Sequence, residues 1–145
     1  MKLPIRNLLA SFLPVGLLFL SSFATAAPVD SSIVRLEREF SELKRVESEI
    51  VGPLRMRARG WVVTDSLASA LGKDAAIQFF HGQLGASEPA LRYYAVIGIV
   101  MAGGNETDAI NSIVDAQVLC QTGCLMRNQS LKATVVQALR DRASN

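Results

Sequence analysis

The chain has 145 residues and a formal net charge of +2, and half of its residues are apolar. This length is enough for one small domain. Its 15 basic and 13 acidic residues nearly balance. That balance argues against a nucleic-acid-binding protein, since such proteins usually carry a strongly basic face.

The first predicted element is a signal peptide over residues 1–26. Lys2 and Arg6 form a positive start, and an apolar core follows over residues 8–20. Residues 24–26, Ala-Thr-Ala, then give the small-x-small pattern of a cleavage site. We therefore expect a periplasmic or secreted protein with no membrane span after cleavage. An uncleaved signal that anchors the protein in the envelope is the alternative.

The second predicted element is an amphipathic helix over residues 31–51, within an N-terminal segment of residues 27–52. Ser31 or Ser32 can cap its first turn. The pair Gly52-Pro53 ends it, because proline cannot continue the amide ladder. We expect this helix to cover one end of the core, with a docking or coiled-coil helix as the alternative. Its apolar residues recur at helical spacings: Ile33, Leu36, Phe40, Leu43 and Ile50.

A pattern then recurs three times, over residues 54–63, 91–100 and 131–140. Each copy begins with Leu and a basic residue, and the copies start roughly 40 residues apart, the period of helical solenoids. Second helices are predicted between them, after Asp74 and after Asn105. The segment from residue 91 to 102 is apolar nearly all round, so we expect a helix in the middle of the core.

The second copy resembles the first helix of a HEAT repeat. Its matching residues are Pro89, Leu91, Arg92, Ala95 and Ile99. The third copy departs from the family pattern, since it has Lys and Val where the repeat has Arg and Ala. The resemblance implies an all-α fold of stacked helix hairpins over residues 53–145, either a solenoid fragment or a small helical bundle.

Two cysteines, Cys120 and Cys124, enclose Gln-Thr-Gly. In an exported chain with two cysteines the default expectation is a disulfide. Gly123 indicates a turn between them. We predict a structural bridge that fastens the connection between the second helix hairpin and the last helix.

No motif for a catalytic, cofactor-binding or metal site is evident, and His81 is the single histidine. The expected function is therefore non-enzymatic protein–protein interaction, similar to an immunity protein, an inhibitor or an envelope-assembly subunit. A structural envelope protein or a small exported enzyme is the alternative. Stacked hairpins offer a concave surface lined by second helices, and we expect four polar residues there to bind the partner: Gln78, His81, Asn111 and Asp115.

Overall fold

The structure, a computed structural model, describes residues 30–51 and 55–144. The predicted signal peptide, residues 1–26, lies outside this part of the chain. The described residues are mostly helical, at 61%, but they also form a small three-stranded sheet, so the all-α prediction is confirmed only in part. In chain order the elements are α1 (Ser31–Ser41), β1 (Val46–Glu47), β2 (Ile50–Val51), β3 (Met56–Arg57), α2 (Arg59–Leu71), α3 (Lys73–Gln83), α4 (Pro89–Met101), α5 (Glu106–Ser112), β4 (Gln117–Thr122), β5 (Leu125–Ser130) and α6 (Leu131–Ala143).

Helix α1 is shorter than predicted. Its cap is Asp30, whose carboxylate accepts the Ser32 amide at 2.9 Å, and it ends at Ser41 rather than at residue 51. The prediction is wrong beyond that point because the next apolar residues enter sheets. Val46 is buried in β1, which pairs parallel to β4, and β2 pairs antiparallel to β3.

The first copy of the repeat also contains a strand. The predicted helix over residues 54–63 begins at Arg59 because the preceding Met56 and Arg57 form β3. Gly60 lies in the first turn of α2, and a Cβ atom at this position would collide with the Tyr94 ring. The glycine, a poor helix former, therefore allows α2 and α4 to approach each other closely.

Helix α4 is the centre of the core, as the sequence predicts. Residues 93–99 are all buried, and the helix contacts α2, α3, α5 and α6. A Cβ atom at Gly98 would lie 2.5 Å from the Phe80 ring of α3, so the small residue permits this packing. Arg92 is half-buried and donates to the Val114 carbonyl at 2.8 Å. Among the described residues, no helix is long and apolar enough to cross a bilayer.

A β-hairpin replaces the second half of the helix predicted after Asn105. Helix α5 ends at Ser112, and β4 and β5 then pair antiparallel over six residues each. The sheet has the order β1-β4-β5. Gly123 has a φ of +59° and the next residue has a negative φ, which matches a type II′ hairpin turn. The helix prediction fails here because residues 117–122 alternate between exposed and buried, with the period of a strand.

Candidate functional site

The four polar residues predicted to bind a partner lie on three different parts of the fold. Gln78 and His81 are exposed on α3, Asn111 is exposed on α5, and Asp115 follows α5. None of the hydrogen bonds among the described residues joins two of these side chains. Their role in binding a partner stays a prediction.

Asp115 has a structural role at the start of α6. Its carboxylate accepts the Lys132 amide and the Ser130 hydroxyl, each at 3.0 Å. These hydrogen bonds, that of the Lys132 amide first, lower the pKa of the carboxyl group. Ser130 in turn accepts the Ala133 amide at 3.2 Å as the N-cap of the helix. Asp115 thus fastens the end of β5 and the beginning of α6 to the segment before β4.

The two cysteines are free thiols in the structure, so the predicted disulfide is not formed there. Cys120 is buried on β4, 3.7 Å from the Thr134 hydroxyl, whereas Cys124 is exposed in the hairpin turn. The residue across the ladder from Cys120 is Arg127, not Cys124. The physical reason for the difference is that the connection is a paired hairpin, which places one thiol against α6 and the other in water.

A cavity of about 540 Å³ lies between the β1–β2 segment, strand β4 and helix α6. Trp61, Tyr93 and Cys120 reach it from the core, and Thr134 and Gln137 line it from α6. Only 1% of Tyr93 is exposed, and its ring packs edge-on against Trp61 and Tyr94.

Several titratable side chains around the cavity are buried or already paired. Burial raises the pKa of the Cys120 thiol and that of the Tyr93 phenol, so both groups stay protonated at neutral pH. A protonated thiol is a poor nucleophile. The carboxylates of Glu47 and Glu49 are already paired, with arginines at 3.2 Å and 3.1 Å. The described residues also contain no cluster of three or more His, Cys, Asp or Glu that could hold a metal ion.

One edge of the three-stranded sheet is closed by side chains from the core. The backbone N–H of Glu47 in β1 donates to the Tyr94 hydroxyl at 3.2 Å. Its carbonyl accepts the Trp61 indole N–H at 2.9 Å. Trp61 and Tyr94 are almost fully buried. No further strand can therefore pair with Glu47 unless these two aromatic side chains move.

The other edge, β5, is open. Residues 125–129 are all exposed, and no backbone hydrogen bond outside the ladder with β4 involves them. The residues that flank a two-residue turn form a hydrogen-bonded pair, and the pairs then alternate. Because Thr122 and Leu125 flank this turn, the N–H and C=O groups of Met126 and Asn128 point away from β4. The hairpin also exposes three large apolar side chains: Leu119, Leu125 and Met126.

The sequence holds a signal for this hairpin that the helical interpretation missed. Residues 117–122 include the β-forming Val118 and Thr122, and Gly123 and Cys124 separate this run from residues 125–130. Glycine at the first position of a two-residue connection is typical of a type II′ turn. Comparison of the chain with protein-family models, curated proteins and solved structures found no match. The candidate site therefore rests on its geometry alone.

Proposed function

We propose that this protein is an exported, non-enzymatic binding module that recognises another protein through its β4–β5 hairpin. The observation that carries the proposal is the open edge of β5, where residues 125–129 are exposed in an unbroken ladder. An exposed, regular edge strand is a template for pairing with another chain, and proteins usually cover it, shorten it or interrupt it. In this sheet the opposite edge, at β1, is closed by Tyr94 and Trp61, whereas the β5 edge is open.

Export is supported by the signal pattern of the first 26 residues. A periplasmic or secreted location follows from that proposal, and retention by an uncleaved signal is its alternative. N-terminal sequencing of the protein from its native host tests it. A mature protein that begins at Ala27 or Pro28 supports export with cleavage, and retention of Met1 in a membrane fraction contradicts it.

The non-enzymatic assignment is supported by the protonated state of Cys120 and Tyr93. His81, the single histidine of the sequence, lies on α3 and does not line the cavity. Within a binding function, an immunity-like or inhibitor role and an envelope-assembly role are both compatible with an open hairpin. We also keep the HEAT-like repeat as a proposal, for helices α2 to α5, where successive helices pack against each other.

Site-specific photo-crosslinking tests the proposed surface. A photoreactive phenylalanine analogue replaces Met126, which is 51% exposed on β5, in protein produced by the native host. The matched control carries the same analogue at Val62, which is 44% exposed on α2. We expect one covalent partner at position 126 and none at position 62. Equal labelling at both positions, or no adduct at position 126, contradicts the proposal.

A further inference from the structure

We infer that the partner contributes an extended segment, which adds to β5 as a fourth strand and places an acidic side chain beside Arg127. This inference rests on the proposed function, because it specifies how the β4–β5 hairpin recognises its partner. Strand addition is an established mode of peptide recognition, in which the main chain provides affinity and alternate side chains provide specificity.

The backbone of β5 sets the length of the added strand. Met126 and Asn128 each offer one N–H and one C=O on the open side. The next group in this series, the Ser130 carbonyl, already accepts the Thr134 hydroxyl at 2.8 Å and lies at the start of α6. An added strand is therefore hydrogen-bonded over residues 125–129. One of its ends extends past the turn, and the other extends past the start of α6.

Charge defines the chemistry of the partner. Arg127 is the only charged residue on β5, and none of the ion pairs among the described residues involves it. Its side chain shares a face of the hairpin with Leu125 and Gln129, where a hollow of about 150 Å³ lies. Opposite charges on neighbouring strands stabilise a sheet and like charges destabilise it. An aspartate or glutamate on the added strand is thus the complementary residue.

The opposite face of the hairpin indicates which kind of side chain the partner carries next to its acidic residue. Met126 and Leu119 lie on that face and are 51% and 37% exposed. Successive side chains of a strand point to opposite faces. A partner residue next to the acidic one therefore faces Met126, where an apolar side chain removes exposed apolar surface from water. The recognition pattern is an acidic residue beside an apolar one.

The same charge disfavours a second copy of this chain as the occupant. Two β5 strands that pair antiparallel through both Met126 and Asn128 place Arg127 directly opposite Arg127 of the other copy. Like charges in that position are destabilising. A shift of the register relieves the contact, but it moves the pairing either into the turn at Cys124 or onto Ser130, whose carbonyl is occupied. A different protein with a carboxylate at this position has neither problem.

The test is a selection of displayed random dodecapeptides on the mature protein, followed by affinity measurements with synthetic copies of the enriched peptides. Two protein variants distinguish the contacts. Met126→Pro removes an N–H on the open edge but leaves the ladder with β4 intact, and Met126→Ala retains that N–H and serves as its control. Arg127→Glu reverses the charge. A peptide methylated on alternate backbone nitrogens tests the main-chain bonds without any change to the protein.

Strand addition predicts enriched peptides with Asp or Glu next to an apolar residue. Met126→Pro and backbone methylation should each weaken binding at least tenfold, and Met126→Ala should weaken it less than Met126→Pro. Selection on Arg127→Glu should replace the acidic residues with Lys or Arg. The inference is overturned if no peptide is enriched, if Met126→Pro binds within twofold of wild type, or if the acidic preference survives the charge reversal. The proposed function fails separately, through the loss of the Met126 crosslink.

Discussion

The two edges of one small sheet are treated in opposite ways. At β1 the edge is two residues long, and the outward N–H and C=O of Glu47 are both bonded by buried aromatic side chains. At β5 the edge is six residues long, and residues 125–129 are exposed. The closed edge depends on the core, since the polar atoms of Trp61 and Tyr94 come from α2 and α4. The open edge has no such cover. Its single charged side chain, Arg127, is what disfavours pairing with a second copy of this chain.

The hydrogen bond between Glu47 and Tyr94 at the closed edge should be insensitive to pH. Burial is the main reason that the pKa of Tyr94 is raised well above that of an exposed tyrosine. The phenol therefore stays protonated over the whole range in which the protein is handled. Its bond with Glu47 is a fixed part of the fold, whereas pairing at β5 depends on the presence of another chain.

The largest expected effect comes from removing the closed edge's main support. Trp61→Ala deletes a side chain that is 1% exposed and leaves the Glu47 carbonyl without its donor. Replacing a buried tryptophan with alanine typically costs about 3–5 kcal/mol. The control is Met126→Ala on the open edge, expected to change stability by about 0.5 kcal/mol or less. Denaturant melts of both variants measure the contrast, and equal losses would refute it.

A smaller effect follows from crowding the same edge. Gly60→Ala places a Cβ atom against the Tyr94 ring, which must shift and weaken its bond with Glu47. Overpacking of this kind costs about 1–3 kcal/mol. Gly82→Ala on α3 is the matched control, because a Cβ atom there has nothing within 4 Å. Its helix propensity should stabilise the protein by up to about 1 kcal/mol, so thermal melts of the two variants should move in opposite directions.

On the open edge, proline substitutions at the adjacent positions Met126 and Arg127 should differ in their cost to stability. In an alternating ladder the N–H of Arg127 points to β4 and that of Met126 points away. Arg127→Pro breaks a ladder bond and leaves an acceptor on β4 unpaired, which costs about 1–3 kcal/mol. Met126→Pro loses no ladder bond and should cost less. Urea titrations of the two variants test the phase of the ladder. A larger loss for Met126→Pro would show that the open groups are assigned to the wrong residues.

The sequence predicted the centre of the molecule better than its edges. Helix α4 was readable because its apolar residues are continuous and because the small Gly98 within it leaves room for Phe80 of α3. Strand β1 was not, because it is two residues long and pairs with Cys120 and Gln121, far away in the chain. No local pattern encodes such a long-range parallel pair. Past Ser41 the helical spacing is coincidental, since Leu43 is buried in the connection before β1 and Ile50 is 43% exposed in β2.

The candidate site was missed for a different reason. Exposed polar residues on helices, such as Gln78 and His81, are the expected choice when the fold is taken as a helical solenoid. The hairpin of residues 117–130 offers a further candidate surface, because the N–H and C=O groups of Met126 and Asn128 point away from β4. The Gly123 turn was the available signal. Asp115, predicted to bind a partner, accepts hydrogen bonds from Ser130 and Lys132 at the start of α6.

The anchor of the open strand should respond to acid. Asp115 has a lowered pKa because it accepts the Lys132 amide and the Ser130 hydroxyl. A group whose pKa is depressed by folding stabilises the native state above its unfolded pKa, near 3.8, and loses this contribution as the pH falls through the folded value. Wild type should therefore melt above Asp115→Ala at pH 7, and the two should converge towards pH 2. A constant difference between their melting temperatures at all pH values would contradict this role.

The smallest expected effect on stability concerns the cysteines. The two thiols should differ in their rate of alkylation, without a measurable loss of stability. Cys124 is exposed in the turn at the end of the open strand, whereas Cys120 is 7% exposed and burial raises the pKa of its thiol. Because the thiolate is the reactive form, an alkylating reagent should modify Cys124 first, and Cys120 only after unfolding. Intact mass measured over time gives the two rates. A native protein from an oxidising compartment that takes up no label until it is reduced would instead contain the Cys120–Cys124 bridge, and the hairpin turn would then have to differ from the one described.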